Sequence, residues 1–187
     1  TSMKYLSGTN IHLRALEPED LDILYHSEND SSLWQYGSTL VPYSRFTLRE
    51  YLQNGQNDIY QTRQLRLMIT CNKDKKTVGT IDLFDFDPHH RRAAIGILIF
   101  PGEQNKGFGT EALNLLSEYT FEFLHLHQLY AHIPQNNTYS LKLFSHCGFT
   151  QCGYLHEWIQ KNAFQYEDVI LMQKIEPQIS INSNKGA

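Results

Sequence analysis

Gln104-Asn105-Lys106-Gly107-Phe108-Gly109-Thr110 is the stretch whose reading decides the fold. It stands between an apolar run closed by Pro101-Gly102 and the start of a helical pattern. Glycines at such a junction let the backbone turn tightly and aim successive N–H groups at one point, and the helix that follows adds the positive end of its dipole. The segment reads as an anion site, best matched to a pyrophosphate. The competing reading is a glycine-eased turn with no ligand. Gly107, Gly109 and Ala112 also satisfy the spacing of a dinucleotide-binding fingerprint, so spacing by itself leaves the ligand open. A P-loop is excluded, because no Gly-Lys-Ser/Thr occurs.

The surroundings choose between the ligands. Upstream, Leu65–Cys71, Thr77–Phe86 and Ala93–Phe100 are runs suited to strands, joined by the short polar turns Asn72–Lys76 and Asp87–His90. That predicts an antiparallel meander. A dinucleotide fold places its glycine loop after the first strand of a parallel unit, which this is not. Downstream, Gly107–Leu124 carries Leu113, Leu116, Tyr119, Thr120 and Phe123 at helical spacing. A strand over Gln128–Ile133 follows, then a helix over Asn137–Cys147 ended by Gly148, then a hairpin of Leu155–Gln160 and Tyr166–Gln173.

Toward the N-terminus, Ile11, Leu13 and Ala15 alternate with His12 and Arg14 as in a half-buried strand. Glu17-Pro-Glu-Asp20 then supplies the first turn of a helix with the stripe Leu21, Leu24 and Tyr25, and Thr47-Leu-Arg-Glu50 has the capping-box spacing that opens a second helix. The fold class is α+β with one mixed sheet. A single domain is expected over residues 3–175, with Thr1 and Ser2 as an expression scar and residues 176–187 as a frayed polar tail.

A chain of 187 residues buries roughly 70% of its unfolded surface, so it needs no disulfide or metal to hold a core. The formal charge of −4 argues against nucleic acid as a partner. Cys71, Cys147 and Cys152 are an odd set without framework spacing, which suits a reducing, cytoplasmic setting. No run reaches the ~20 apolar residues of a membrane span. The nine His lack the spacing of a metal site, so no metal is expected.

The glycine loop together with Asn137-x-x-Ser140-x-x-x-Phe144-x-x-x-Gly148-Phe149 resembles the GNAT N-acetyltransferases, over almost the whole chain from Lys4 to Ile175. Among them it is most similar to the spermidine/diamine N-acetyltransferases, through His90-Arg-Arg-Ala93, Leu155-His-Glu-Trp158 and Tyr166. The resemblance implies a mostly antiparallel mixed sheet with splayed central strands and flanking helices. It implies acetyl-CoA as acetyl donor, with pyrophosphate on Gln104–Thr110 and the pantetheine arm along the backbone of Ile97, Leu98 and Ile99 and against Asn137. It also implies self-association. The family often has a general-acid Tyr where Phe144 stands and a Glu where Ala94 stands, and the polyamine enzymes carry an acid pair near the Trp34–Pro42 loop that is missing here.

Acetyl transfer to an amine needs a neutral nitrogen, a polarised carbonyl and a protonated leaving thiol. Deprotonating a lysine-like amine at pH 7 costs about 4–5 kcal/mol, against about 1 kcal/mol for an α-amine. Asp82 is the candidate catalytic carboxylate, acting through water as a base or attracting a cation, and Asp85 and Glu157 are candidates for the path of a cationic substrate. Asp85, three residues on, points to the other face unless the strand bulges. Solvated surface carboxylates are the competing reading for both. Trp34, Tyr36, His156 and Glu157 are candidates for the substrate mouth. The acceptor expected is a polyamine or diamine. The alternatives are a protein or peptide N-terminus, or a CoA-binding module with little turnover.

Overall fold

The meander holds the centre of the computed structural model, which describes residues 3–34, 40–54 and 58–177. Its strands are β2 (Leu65–Cys71), β3 (Thr77–Asp87) and β4 (Arg92–Ile99). They are paired antiparallel in register from Leu65↔Leu83 and from Gly79↔Ile99. With β1 (Ile11–Arg14), β5 (Gln128–Pro134), β6 (Thr150–Asn162) and β7 (Gln165–Ile175) they form a seven-stranded sheet in the order β1-β2-β3-β4-β5-β7-β6. Every neighbouring pair is antiparallel except β4 with β5.

Alternation sorts the side chains between two faces. Leu67, Ile69, Ile81, Leu83, Leu129, Ala131, Ile170 and Met172 share one buried cluster with Leu113 and Leu116 of α4 (Phe108–Glu118) and Leu143 and Phe144 of α5 (Thr138–His146). This is the helical face. Arg66, Met68, Thr70 and Asp82 point the other way, where α1 (Leu21–Asn29) and α2 (Arg45–Asn54) pack on each other. Glu28 of α1 bonds Arg66 of β2 at 2.9 Å and fixes α1 to that face.

Several boundaries differ from the sequence reading. The second helix opens at Arg45, not Thr47, because Ser44 supplies the capping oxygen and accepts the Thr47 N–H at 3.0 Å. A one-turn helix, α3 (Ile59–Thr62), precedes β2. The long helix after the glycine loop changes to a π-helical turn over Tyr119–Phe123. The closing hairpin is far longer than its apolar alternation. β6 lies at the sheet edge and is largely exposed, with irregular register at Gln151/Gly153, Leu155/Ile159 and Gln160/Asn162, so no clean period survives in its sequence.

The N-terminal elements meet at Arg14. Its guanidinium makes two bonds of 2.8 Å to the buried Asp20 carboxylate, and reaches Thr70 of β2 at 3.1 Å and Thr77 of β3 at 3.2 Å. Asp20 also accepts the Glu17 N–H at 2.8 Å, which holds the 3₁₀ turn Pro18–Asp20 against the strand end. Burial pushes the Asp20 carboxyl up, but the Arg14 hydrogen bonds, the Glu17 N–H and the Arg14 charge outweigh it and hold the group below the usual range. A lowered carboxyl stabilises the fold at neutral pH, and that contribution is lost as pH falls through the folded value. Asp20→Asn is expected to cost about 2 kcal/mol, because it leaves Arg14 short of its partner. Urea titrations between pH 7 and pH 3 check this: the variant should start lower and lose less stability on acidification than the unaltered protein.

Candidate active site

Strand β4 leaves β5 after only three pairs, Arg92↔Gln128, Ala93↔Leu129 and Ala94↔Tyr130. Beyond them β4 stays bonded to β3 as far as Ile99, and β5 stays bonded to β7 as far as Pro134. The two strands therefore diverge, and the edges of Ile95–Ile99 and Ala131–Pro134 that face each other carry no ladder between them. Ile97, Leu98 and Ile99, expected to present backbone groups to a ligand arm, lie along this opening. An extended chain bearing amides fits here by completing hydrogen bonds that the strands do not make with each other.

The glycine loop sits at the mouth of the same opening. Gly107 is the N-terminal cap of α4 and has φ +83°, with nothing within 4 Å of where a Cβ would stand, so the requirement for glycine there is conformational. Gly109 serves packing instead: a Cβ would lie 3.1 Å from Leu143 and from the Tyr139 hydroxyl of α5. Asn105 is also left-handed, at φ +61°. The first hydrogen bond of α4 runs from the Glu111 N–H to the Gly107 carbonyl at 3.2 Å. Among the described residues, the N–H groups of Phe108, Gly109 and Thr110 thus have no protein acceptor, and they converge where the helix dipole is positive. Lys106 lies beside them, bonded to Glu103 at 2.9 Å. Asn137 caps α5 by accepting the Ser140 N–H at 3.2 Å, which turns its Nδ2 into the free donor of that side chain. Loop and opening together fit a pyrophosphate with a long amide-bearing arm, as acetyl-CoA has.

The face opposite α4 and α5 carries the charged groups. Asp82 is held by Arg66 through bonds of 2.8 and 3.1 Å, and the same guanidinium reaches Glu28 at 2.9 Å. Burial would lower Arg66, but the charge and hydrogen bonds of Asp82 outweigh it and the group is raised. Trp34 donates its indole N–H to the Glu28 carbonyl at 2.8 Å, so the structure brings Trp34 and Asp82 to one neighbourhood. Asp85 stands in a bulge of β3, where the register slips between Phe84 and Asp87, and has φ +48°. Leu83 and Phe86, three apart, are both buried in the helical-face core. The bulge has therefore turned Asp85 to the same side as Asp82. Beside it lies a cavity of about 400 Å³ lined by Arg92, Tyr130, His132, Cys152 and Gln173 among others.

Other expected residues fall elsewhere. His156 is exposed, with its Nδ1 3.5 Å from Asp168. Glu157 has φ +50° and donates its backbone N–H to Asp168 at 2.8 Å. Both belong to the irregular part of β6. Phe144 is buried in the helical-face core, with its ring centre 5.0 Å from that of Phe149. Tyr36 lies outside the described residues. Among the described residues no three His, Cys, Asp or Glu side chains gather as metal ligands. Arg66 and Tyr130 had no signal of their own in the sequence, since each is one polar or aromatic residue on the second face of its strand, and His132 stood out only among the histidines set aside as metal ligands. The loop makes a direct prediction: Gly107→Ala must adopt a left-handed φ, which costs about 1–2 kcal/mol. Titration calorimetry should show acetyl-CoA binding weakened, with a melting temperature only slightly lower.

The sequence profile of the acetyltransferase (GNAT) domain matches residues 10–150. The spermidine N(1)-acetyltransferase of Vibrio cholerae serotype O1 is 31% identical over 162 residues, covering 87% of this chain and 91% of that protein. The corresponding Escherichia coli K12 enzyme is 30% identical over 167 residues, covering 89% and 86%. The crystal structure of the Vibrio cholerae spermidine N-acetyltransferase in complex with CoA and spermine superposes with a TM-score of 0.78 at 30% identity, covering 90% of this chain and 97% of that one. A parted β4–β5 joint, a left-handed glycine capping the next helix and these likenesses lead to one conclusion: the chain belongs to the GNAT acetyltransferase family and is an acetyl-CoA-dependent N-acetyltransferase.

Proposed function

We propose that the acceptor is a polyamine or diamine. The observation that carries this reading is the charge cluster on the acceptor face, where, among the described residues, Glu28 and Asp82 both bond the guanidinium of Arg66 and these three side chains sum to a formal charge of −1. The likeness to an enzyme whose structure holds spermine together with CoA supports it. Asp85, turned to the same side by its bulge, adds a second anionic point along the path of a cationic chain. Because both oxygens of Asp82 are engaged by Arg66, its role is electrostatic attraction, not proton abstraction. The indole of Trp34 bounds the cluster on the α1 side.

On the donor side, the free N–H groups at the start of α4 hold the pyrophosphate, the unpaired edge of β4 orients the arm, and Asn137 offers a further donor. When bound, acetyl-CoA supplies a thioester whose leaving thiol resembles Cys in acidity, with a pKa near 8.5. Phe144, at the family's general-acid position, fills volume and gives no proton. The three cysteines are free, which supports a reducing compartment for this protein.

Thiol release with spermidine, a diamine, a neutral-chain monoamine and peptide N-termini as acceptors tests the proposal. Turnover on spermidine or the diamine at the highest kcat/KM is the expected result, and preference for a peptide would overturn it. Asp82→Asn changes the cluster from −1 to neutral and should raise KM for spermidine roughly 3- to 10-fold while leaving the monoamine almost unaffected. Equal changes for both acceptors would remove the steering role.

A further inference from the structure

The two positions at which the related enzymes often carry a Tyr and a Glu have no proton to exchange. Ala94 is fully buried and carries only a methyl group, and Phe144 presents a buried ring from the helical face. The reaction must still take protons from the nitrogen and give one to the sulfur. Groups able to do both stand on the face opposite Phe144, which Ala94 shares.

Tyr130 is the β5 member of the last β4–β5 pair, directly opposite Ala94. Its sequence neighbours Leu129 and Ala131 belong to the helical-face core, so its own ring stands on the acceptor face at the point where the strands part. It lines the cavity of about 400 Å³ described above. Asp85 approaches from β3. Phe84 pairs with Ala94 and the next pair is Asp87 with Arg92, so the bulge sets Asp85 beside the Ala93–Ala94 segment. Burial raises the Tyr130 phenol, and the Asp85 carboxylate raises it further, which keeps it protonated. The remaining titratable groups around Tyr130 are Asp87 from β3, Arg92 from β4, His132 from β5 with its ring 5.8 Å away, and Cys152 from β6. The β7 side chains lining the cavity are uncharged.

We propose that Tyr130 donates the proton to the departing sulfur and that Asp85 accepts a proton from the incoming ammonium. The nitrogen lone pair forms the C–N bond, and the C–S electron pair leaves on sulfur, which takes the Tyr130 hydroxyl proton. The nitrogen gives up two protons. One passes to Asp85 and on to solvent, and the other restores the phenol. The proton chemistry missing at Ala94 and Phe144 thereby falls to the strands on either side of Ala94, on the face of the sheet that Ala94 shares. This inference rests on acetyl transfer itself and not on which amine is acetylated.

The test uses the acceptor with the highest turnover in the panel, with kcat and both KM values measured from pH 7 to pH 10.5 alongside thermal melts. Tyr130→Phe should lower kcat about 10-fold or more, with KM for acetyl-CoA and amine unchanged and the melting temperature retained. Asp85→Asn should lower kcat at pH 7, and the deficit should narrow as pH approaches about 10.4, where a primary amine arrives neutral and needs no base. Asp85→Glu should restore part of the loss. A Tyr130→Phe enzyme with kcat within about twofold of the unaltered one, or with kcat, KM and melting temperature all lowered together, would overturn the role of Tyr130. An Asp85→Asn deficit constant across the pH range would overturn that of Asp85.

Discussion

Everything functional here depends on two parallel strands that stop bonding after three pairs. An unpaired backbone group buried without water costs about 1–3 kcal/mol, so a sheet does not part for nothing. The cost is contained because each strand keeps its other neighbour: β4 continues on β3, and β5 continues on β7. Helices α4 and α5 pack together on one side of the parting, with Gly109 admitting the close approach of Tyr139 and Leu143. What remains open is a slot of the right chemistry for an amide-bearing arm. The slot starts at the glycine turn that caps α4 and ends at Ala94 and Tyr130.

The two faces of the sheet divide the work. The helical face is apolar and supplies the core, together with the glycine turn that we propose holds the pyrophosphate. The acceptor face is charged, and its charges are tied to particular elements: Glu28 to α1, Arg66 to β2, Asp82 and Asp85 to β3. Ala94, at the last β4–β5 pair, and Phe144, in the core, are both chemically silent. The catalytic burden therefore shifts toward side chains that project away from the core, where water and substrate reach them.

Runs suited to strands, bounded by short polar turns, made the meander readable, and β2 has the bounds read from them. The glycine loop was readable for a different reason, since φ +83° at Gly107 restricts that position to glycine for backbone reasons alone. The sequence left a bulge at Asp85 open, and the burial of Leu83 and Phe86, three apart, in one core decides it. Other features are set by partners remote in sequence. Arg66 is a single cation between Leu65 and Leu67, and nothing local shows that Glu28, 38 positions away, will meet it. The length of β6 is hidden because an exposed edge strand has no buried side to enforce alternation.

That edge has a consequence for how the protein behaves at high concentration. A sheet with two free borders offers two templates on which another chain could add strands and start aggregation. On the β1 side the border is only four residues long and is covered by the preceding segment, where Leu6 and Gly8 bond Leu13 and Ile11 at 2.8 Å. On the β6 side the strand is 13 residues long and carries the exposed ring of Trp158, with that of Phe164 exposed in the hairpin turn beyond it. Its three breaks in register twist the row of free N–H and C=O groups out of line. No stretch of it presents a long, flat ladder, so the exposed aromatics remain available for contact without inviting open-ended strand addition.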